Sequence, residues 1–167
     1  TELGEACMDP AKFMGVQTGY PGIDSRLQGL RPGQMIVVGA RPGVGKTSFA
    51  LNLATNAAAH GASVAFFSLE MSKVEIAQRL LSAYAHIPLS AIRGARIQDN
   101  QWPTILDATR DLSRLDIMID DTPGTTVTEI RAKARRMLNG KERGIVLVDY
   151  LQLLSPPSGR QRMDSRA

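Results

Sequence analysis

Apolar and polar positions along this chain follow two periods, and the alternation between them sketches the fold. Residues 35–39, Met-Ile-Val-Val-Gly, form a short apolar run that reads as a strand. From residue 47 to about 60 the spacing turns helical. Phe49, Ala50, Leu53, Ala54 and Ala57 share one face, and Gly61 is the stop signal. Residues 64–69 read as the next strand. Ser72-Lys-Val-Glu75 has the spacing of a capping box and opens a helix with Ile76, Leu80, Leu81 and Tyr84 on its apolar face. A third helix is expected over residues 100–114 and a strand over 116–120. Thr126-Val-Thr-Glu129 is a second capping-box match, opening a helix that runs to about residue 138. Residues 145–148 are β-branched and nearly continuous, as a strand buried on both faces should be. Residues 17–34 are rich in Gly and Pro and predict turns with one short helix near 23–28. Residues 1–16 show no clear period and read as a linker or the end of an upstream element. Residues 155–167 read as a polar tail.

Strands alternating with helices in this order predict an α/β fold, a mostly parallel sheet with helices on both faces. The 167 residues suit one domain. Aromatics make up only 5%, so the core must be largely aliphatic. A formal charge of +4 and a pI near 9.6 permit a nucleic-acid partner without arguing for one. The lone cysteine, Cys7, cannot form an internal disulfide, which points to a reducing compartment. No apolar run could span a bilayer and the first residues do not resemble a signal peptide, so a cytoplasmic location is expected. Both ends read as cuts within a longer protein.

The densest chemistry lies at Ala40-Arg-Pro-Gly-Val-Gly-Lys-Thr47, between an expected strand and an expected helix. That is the setting of a Walker A phosphate loop. Gly43 and Gly45 let the backbone turn its N–H groups inward onto phosphate oxygens, and the helix that follows adds its positive end. Lys46 offers an ammonium to the β- and γ-phosphates, and Thr47 a hydroxyl to magnesium. The expected ligand is therefore ATP with Mg2+, bound by Arg41, Pro42, Gly43, Val44, Gly45, Lys46, Thr47 and Ser48. Ala40 stands where such loops usually begin with glycine. This position ends the strand and has no need of positive φ. Arg41 suits either a nucleotide or an adjoining subunit.

Hydrolysis also needs carboxylates. Asp149 ends the strand over 145–148, where a magnesium-binding Walker B aspartate belongs. Glu70 follows the strand over 64–69, and strand ends in a parallel sheet open onto the ligand crevice. Spacing alone leaves Glu70 open between a general base and a solvated loop residue. Asp120 and Asp121 suit either the metal shell or the turn before Pro123, with the turn preferred.

Several segments together resemble the C-terminal motor domain of DnaB-type replicative DNA helicases. They are Thr18-Gly-Tyr-Pro-Gly-Ile-Asp24, Gly29-Leu-Arg-Pro-Gly33, the loop ending at Thr47, Ser68-Leu-Glu-Met71, Ile130-Arg-Ala-Lys-Ala134 and Val148-Asp-Tyr-Leu-Gln-Leu153. The pairing of Ser-Leu-Glu-Met with Asp-Tyr-Leu-Gln is far more specific than the phosphate loop. The resemblance implies a RecA-like P-loop NTPase core over residues 17–154, part of a domain that forms hexameric rings on single-stranded DNA. It implies ATP hydrolysis coupled to unwinding, with primase and a helicase loader as further partners. It also implies that Glu70 is the catalytic base, acting with Lys46. The family's motor continues past its Walker B aspartate with a glutamine sensor, DNA-contacting loops and an arginine finger, which find no match in these 167 residues. A RecA-like recombination or repair ATPase, or a nucleotide-dependent regulatory assembly protein, would share the fold and the loop.

Weaker signals read blandly. Arg131, Lys133, Arg135 and Arg136 suit a solvated helix face, or contacts to DNA phosphates or a neighbouring subunit. Trp102 reads as a packing or staple residue. His60 and His86 lack metal-ligand partners at useful spacing, so no zinc is expected.

Overall fold

The computed structural model describes residues 14–155. The expectations for the linker up to residue 13 and for the tail from residue 156, with Cys7, lie outside the described residues. Three strands form one parallel sheet: β1 (Ser63–Ser68), β2 (Ile117–Asp120) and β3 (Gly144–Asp149), in the order β2-β1-β3. The register pairs Phe66 with Ile119 on one side and with Leu147 on the other. β1 is central and every residue in it is buried.

Period-2 alternation along β1 divides the core. Val64 and Phe66 pack with Leu51, Ala54 and Ala57 of α2 (Lys46–Ala59) and with Ile76 and Leu80 of α3 (Lys73–Ala85). Ala65 and Phe67 face the other way, onto Ile130 and Ala134 of α6 (Val127–Met137). Helices therefore cover both faces of the sheet, as parallel strands require. A satellite cluster joins Ala85 and Ile87, at the end of α3 and just beyond it, to Ile105 and Ala108 of α5 (Trp102–Arg114).

The helix ends follow their capping residues. Ser72 and Glu75 close a reciprocal capping box on α3, and Thr126 and Glu129 close one on α6. In each the carboxylate accepts from the cap backbone N–H, which holds Glu75 and Glu129 below the usual carboxylate range. α2 stops at Ala59, with Gly61 beyond it at φ 85°. The expected helix over 100–114 is a 3-10 turn at Asp99–Gln101 followed by α5. A short helix, α4 (Leu89–Arg93), was not expected. Trp102 opens α5 with about half of its surface exposed.

The segment before the phosphate loop is held by polar contacts. Asp24 on α1 (Pro21–Leu27) accepts hydrogen bonds from the Thr18 N–H (2.9 Å), the Thr18 hydroxyl (2.8 Å) and the Gly19 N–H (3.1 Å). Asn56 of α2 donates to the Thr18 carbonyl at 3.0 Å, and the Tyr20 ring stacks on Phe49 at 5.1 Å. The Thr18-Gly19…Asp24 motif thus anchors this segment to α2. Gly29 packs backbone to backbone on Gly15. A Cβ there would sit 2.6 Å from the Gly15 carbonyl oxygen, so no other residue fits.

Two strand expectations need correction. Residues 35–39 form no strand: Met35 is 79% exposed and Val37 69%. β3 is an edge rather than a strand buried on both faces, with Val146 42% exposed. The outer edge of β3 and the 35–39 segment flank an open cleft of about 610 Å³, lined in part by Val16, Ile36, Val38, Ile145 and Leu147. A strand inside a parallel sheet has a neighbour on each side; among the described residues none flanks 35–39, and β3 has only β1.

Candidate nucleotide-binding site

The site grows from the C-terminal ends of β1 and β3, which lie side by side. Ser68 pairs with Asp149, and the Leu69 N–H donates to the Asp149 carbonyl at 2.8 Å. Parallel strands put all their C-terminal ends on one edge of the sheet, where ligand crevices open. The N-terminus of α2 meets that edge.

Residues 40–45 reach α2 through a turn in which Gly43 and Gly45 stand at φ 79° and 105°. A Cβ on either would meet nothing within 4 Å, so backbone conformation rather than space calls for glycine. Gly45 caps α2 without a side chain, and no acidic residue lies in the first turn. α3 and α6 instead satisfy their first N–H groups with Ser72 and Glu75 or with Thr126 and Glu129. The 14-residue α2 therefore presents free amide donors and an uncompensated positive dipole end, which suits an anion.

Lys46, Thr47 and Asp149 converge there from positions about a hundred residues apart. The Thr47 hydroxyl donates to Asp149 Oδ2 at 2.6 Å, and Lys46 Nζ lies 3.3 Å from Asp149 Oδ1. Asp149 is only 4% exposed, so these two contacts must replace its hydration. Lys46 Nζ also sits 3.8 Å from the centre of the Tyr150 ring. The bond between Asp149 and Tyr150 is cis. Sequence reasoning missed Tyr150 as a contact of Lys46; its one signal was adjacency to Asp149.

The other candidates stand apart from this triad. Arg41, Pro42, Gly43, Val44 and Gly45 are exposed in the loop, and Ser48 is exposed on the first turn of α2. Glu70 lies in a bend beyond β1, exposed. The bend is held by the Ser68 hydroxyl, which donates to the Met71 carbonyl at 2.6 Å and accepts from its N–H. Glu70 shares the sheet edge with Asp149 but contacts none of the triad, and its carboxylate has no partner among the described residues.

Asp120 and Asp121 are committed elsewhere. Lys133 Nζ lies 2.7 and 2.9 Å from the two Asp120 oxygens and 2.8 Å from the Thr122 hydroxyl. Burial would raise the Asp120 carboxyl, but the hydrogen bonds from Lys133 and Thr122 outweigh it and hold the group below the usual range. Asp121 accepts from the Lys73 N–H at 2.8 Å, which lowers its carboxyl likewise. Asp120 thus ties the end of β2 to the body of α6, and Asp121, just beyond β2, reaches the start of α3. On α6, Lys133 turns inward while Arg131, Arg135 and Arg136 stay exposed. No cluster of three His, Cys, Asp or Glu side chains among the described residues would hold a metal alone. No described helix is long and apolar enough to cross a membrane.

Comparison with known proteins identifies the family. The family described as DnaB-like helicase C-terminal domain matches residues 15–167. The replicative DNA helicase DnaB of Leifsonia xyli is 44% identical over 153 residues, and the replicative DNA helicase DnaC of Bacillus subtilis 42% over 149. These matches cover 91% and 89% of this chain and 33% of each relative, so the chain spans about a third of the length of the curated relatives it matches. A solved DnaB-like replicative helicase, described with its interactions with primase, superposes with a TM-score of 0.83 at 34% identity. That match covers 88% of this chain and 37% of its own. A second solved chain, described as an ATPase domain, superposes with a TM-score of 0.87 at 31% identity, over 96% of this chain and 58% of its own. The chain belongs to the family of DnaB-like helicase C-terminal domains.

Proposed function

We propose that this chain is the nucleotide-binding part of a replicative helicase motor, in which residues 17–154 bind ATP with Mg2+ and drive translocation along single-stranded DNA. The observation that carries the reading is the meeting of Lys46, Thr47 and Asp149 at the uncapped N-terminus of α2. Each part has a role in phosphoryl transfer, where catalysis is mostly positioning and charge stabilisation. The amides of residues 43–47 take phosphate oxygens. Lys46 exchanges the Asp149 carboxylate for the β- and γ-phosphates.

The Thr47 hydroxyl and the Asp149 carboxylate fit a magnesium ion, since both are oxygen donors already within 2.6 Å of each other. Bound there, the ion would neutralise charge between the phosphates. Glu70, exposed and without a competing partner, is free to orient a water and take its proton. Its place at the same sheet edge supports that role.

A homo-oligomeric ring, single-stranded DNA and a helicase loader enter as partners through the family. Primase enters through the solved relative described with it. Two substitutions in the full-length protein test the reading. Lys46→Ala should abolish tight ATP binding. Glu70→Gln should leave binding intact and lower turnover by about a hundredfold, the scale of a lost general base. Normal turnover in Glu70→Gln would remove Glu70 from the mechanism.

A further inference from the structure

Tyr150 has no structural use that its surroundings explain. It follows β3 directly, is half-buried, and its hydroxyl makes no hydrogen bond to any described residue. Its one polar contact is through the ring face, 3.8 Å from Lys46 Nζ, well within the range of a cation–π interaction. The Asp149 carboxylate touches the same ammonium at 3.3 Å. Two consecutive residues therefore contact one cation, Asp149 through its carboxylate and Tyr150 through its ring face.

Lys46 needs such holding. It is the first residue of α2, where the positive end of the helix disfavours another cation, and no acidic side chain lies in that turn. Its side chain is 29% exposed and has a long flexible stem that is costly to order. When phosphates arrive, their oxygens replace the carboxylate, whereas the ring carries no charge for them to replace.

We propose that Tyr150 is a positioning residue for Lys46, keeping its ammonium over the phosphate loop before nucleotide binds and beneath the phosphates afterwards. The inference rests on reading residues 40–47 as a phosphate loop. It goes further by assigning Tyr150 to nucleotide affinity through its ring face.

The test is equilibrium titration of the full-length protein with N-methylanthraniloyl-ADP in the absence of magnesium. Failure of the wild type to bind would sink the phosphate-loop reading itself. Given wild-type binding, Tyr150→Leu should weaken affinity about fivefold, the scale of a partly desolvated cation–π contact. Tyr150→Phe, which keeps the ring, should stay within about twofold. Tyr150→Met offers a second ring-free variant if leucine unfolds the strand end. Unchanged or tighter binding by Tyr150→Leu would overturn the proposal. So would a Phe variant as weak as the Leu variant.

Discussion

Replacing Thr47 by valine removes one hydroxyl and almost no volume, so its consequences can be worked from a single contact. The hydroxyl donates at 2.6 Å to Asp149, a carboxylate 4% exposed. Hydrogen bonds to charged groups contribute roughly 1.5–3 kcal/mol. Lys46 remains as a second partner, so Asp149 is not orphaned and the lower end applies. Thr47→Val should therefore cost about 1.5 kcal/mol without nucleotide, a fall in melting temperature of roughly 3–6 °C for a domain of this size. Thr47→Ser keeps the hydroxyl and should melt within about 1 °C of wild type. The nucleotide readout is separate: Thr47→Val should lose magnesium-dependent enhancement of ATP binding, because one of two oxygen donors is gone, and keep magnesium-free binding. Calorimetry and titration with and without magnesium read both. A Thr47→Val protein with wild-type melting and wild-type magnesium dependence would refute the argument.

Other predictions follow from the fold. Phe66→Ala empties the centre of the sheet at a residue with no exposure, and should cost about 3–5 kcal/mol in urea unfolding; a loss under about 1.5 kcal/mol would mean that the core lies elsewhere. Lys133→Met removes the partner that holds Asp120 below its ordinary value near 3.8. A lowered folded-state carboxyl contributes stability that is full above the unfolded value and lost as pH falls through the folded one. Lys133→Met should thus destabilise the protein at pH 7, and the gap to wild type should narrow as pH falls below that value. A gap constant from pH 7 to pH 2 would remove the ion pair as its cause.

The parts of this fold that were readable from sequence are those fixed by local chemistry. Ser72 with Glu75 and Thr126 with Glu129 mark helix starts because each pair satisfies the same first amides that it precedes. β1 reads as a strand and is one, since burial on both faces needs no more than an apolar run. Lys46, Thr47 and Asp149 follow from their positions after one expected strand and at the end of another.

What escaped depends on neighbours. Residues 35–39 carry the composition of a buried strand, yet ladder formation needs an adjacent strand in register, and composition does not report register. The five residues of α4 are too few to show a helical period. The ring of Tyr150 against Lys46 joins residues that no spacing rule connects. Glu70 was open in the spacing and drawn toward catalysis only by family resemblance.

The most direct test of the central claim is ATP hydrolysis by the full-length protein, measured with and without single-stranded DNA. A motor of this family should hydrolyse ATP faster on single strands than on duplex or without DNA, and lose that activity in Lys46→Ala. Hydrolysis that is indifferent to DNA would contradict the motor and leave a nucleotide-dependent assembly protein as the better account.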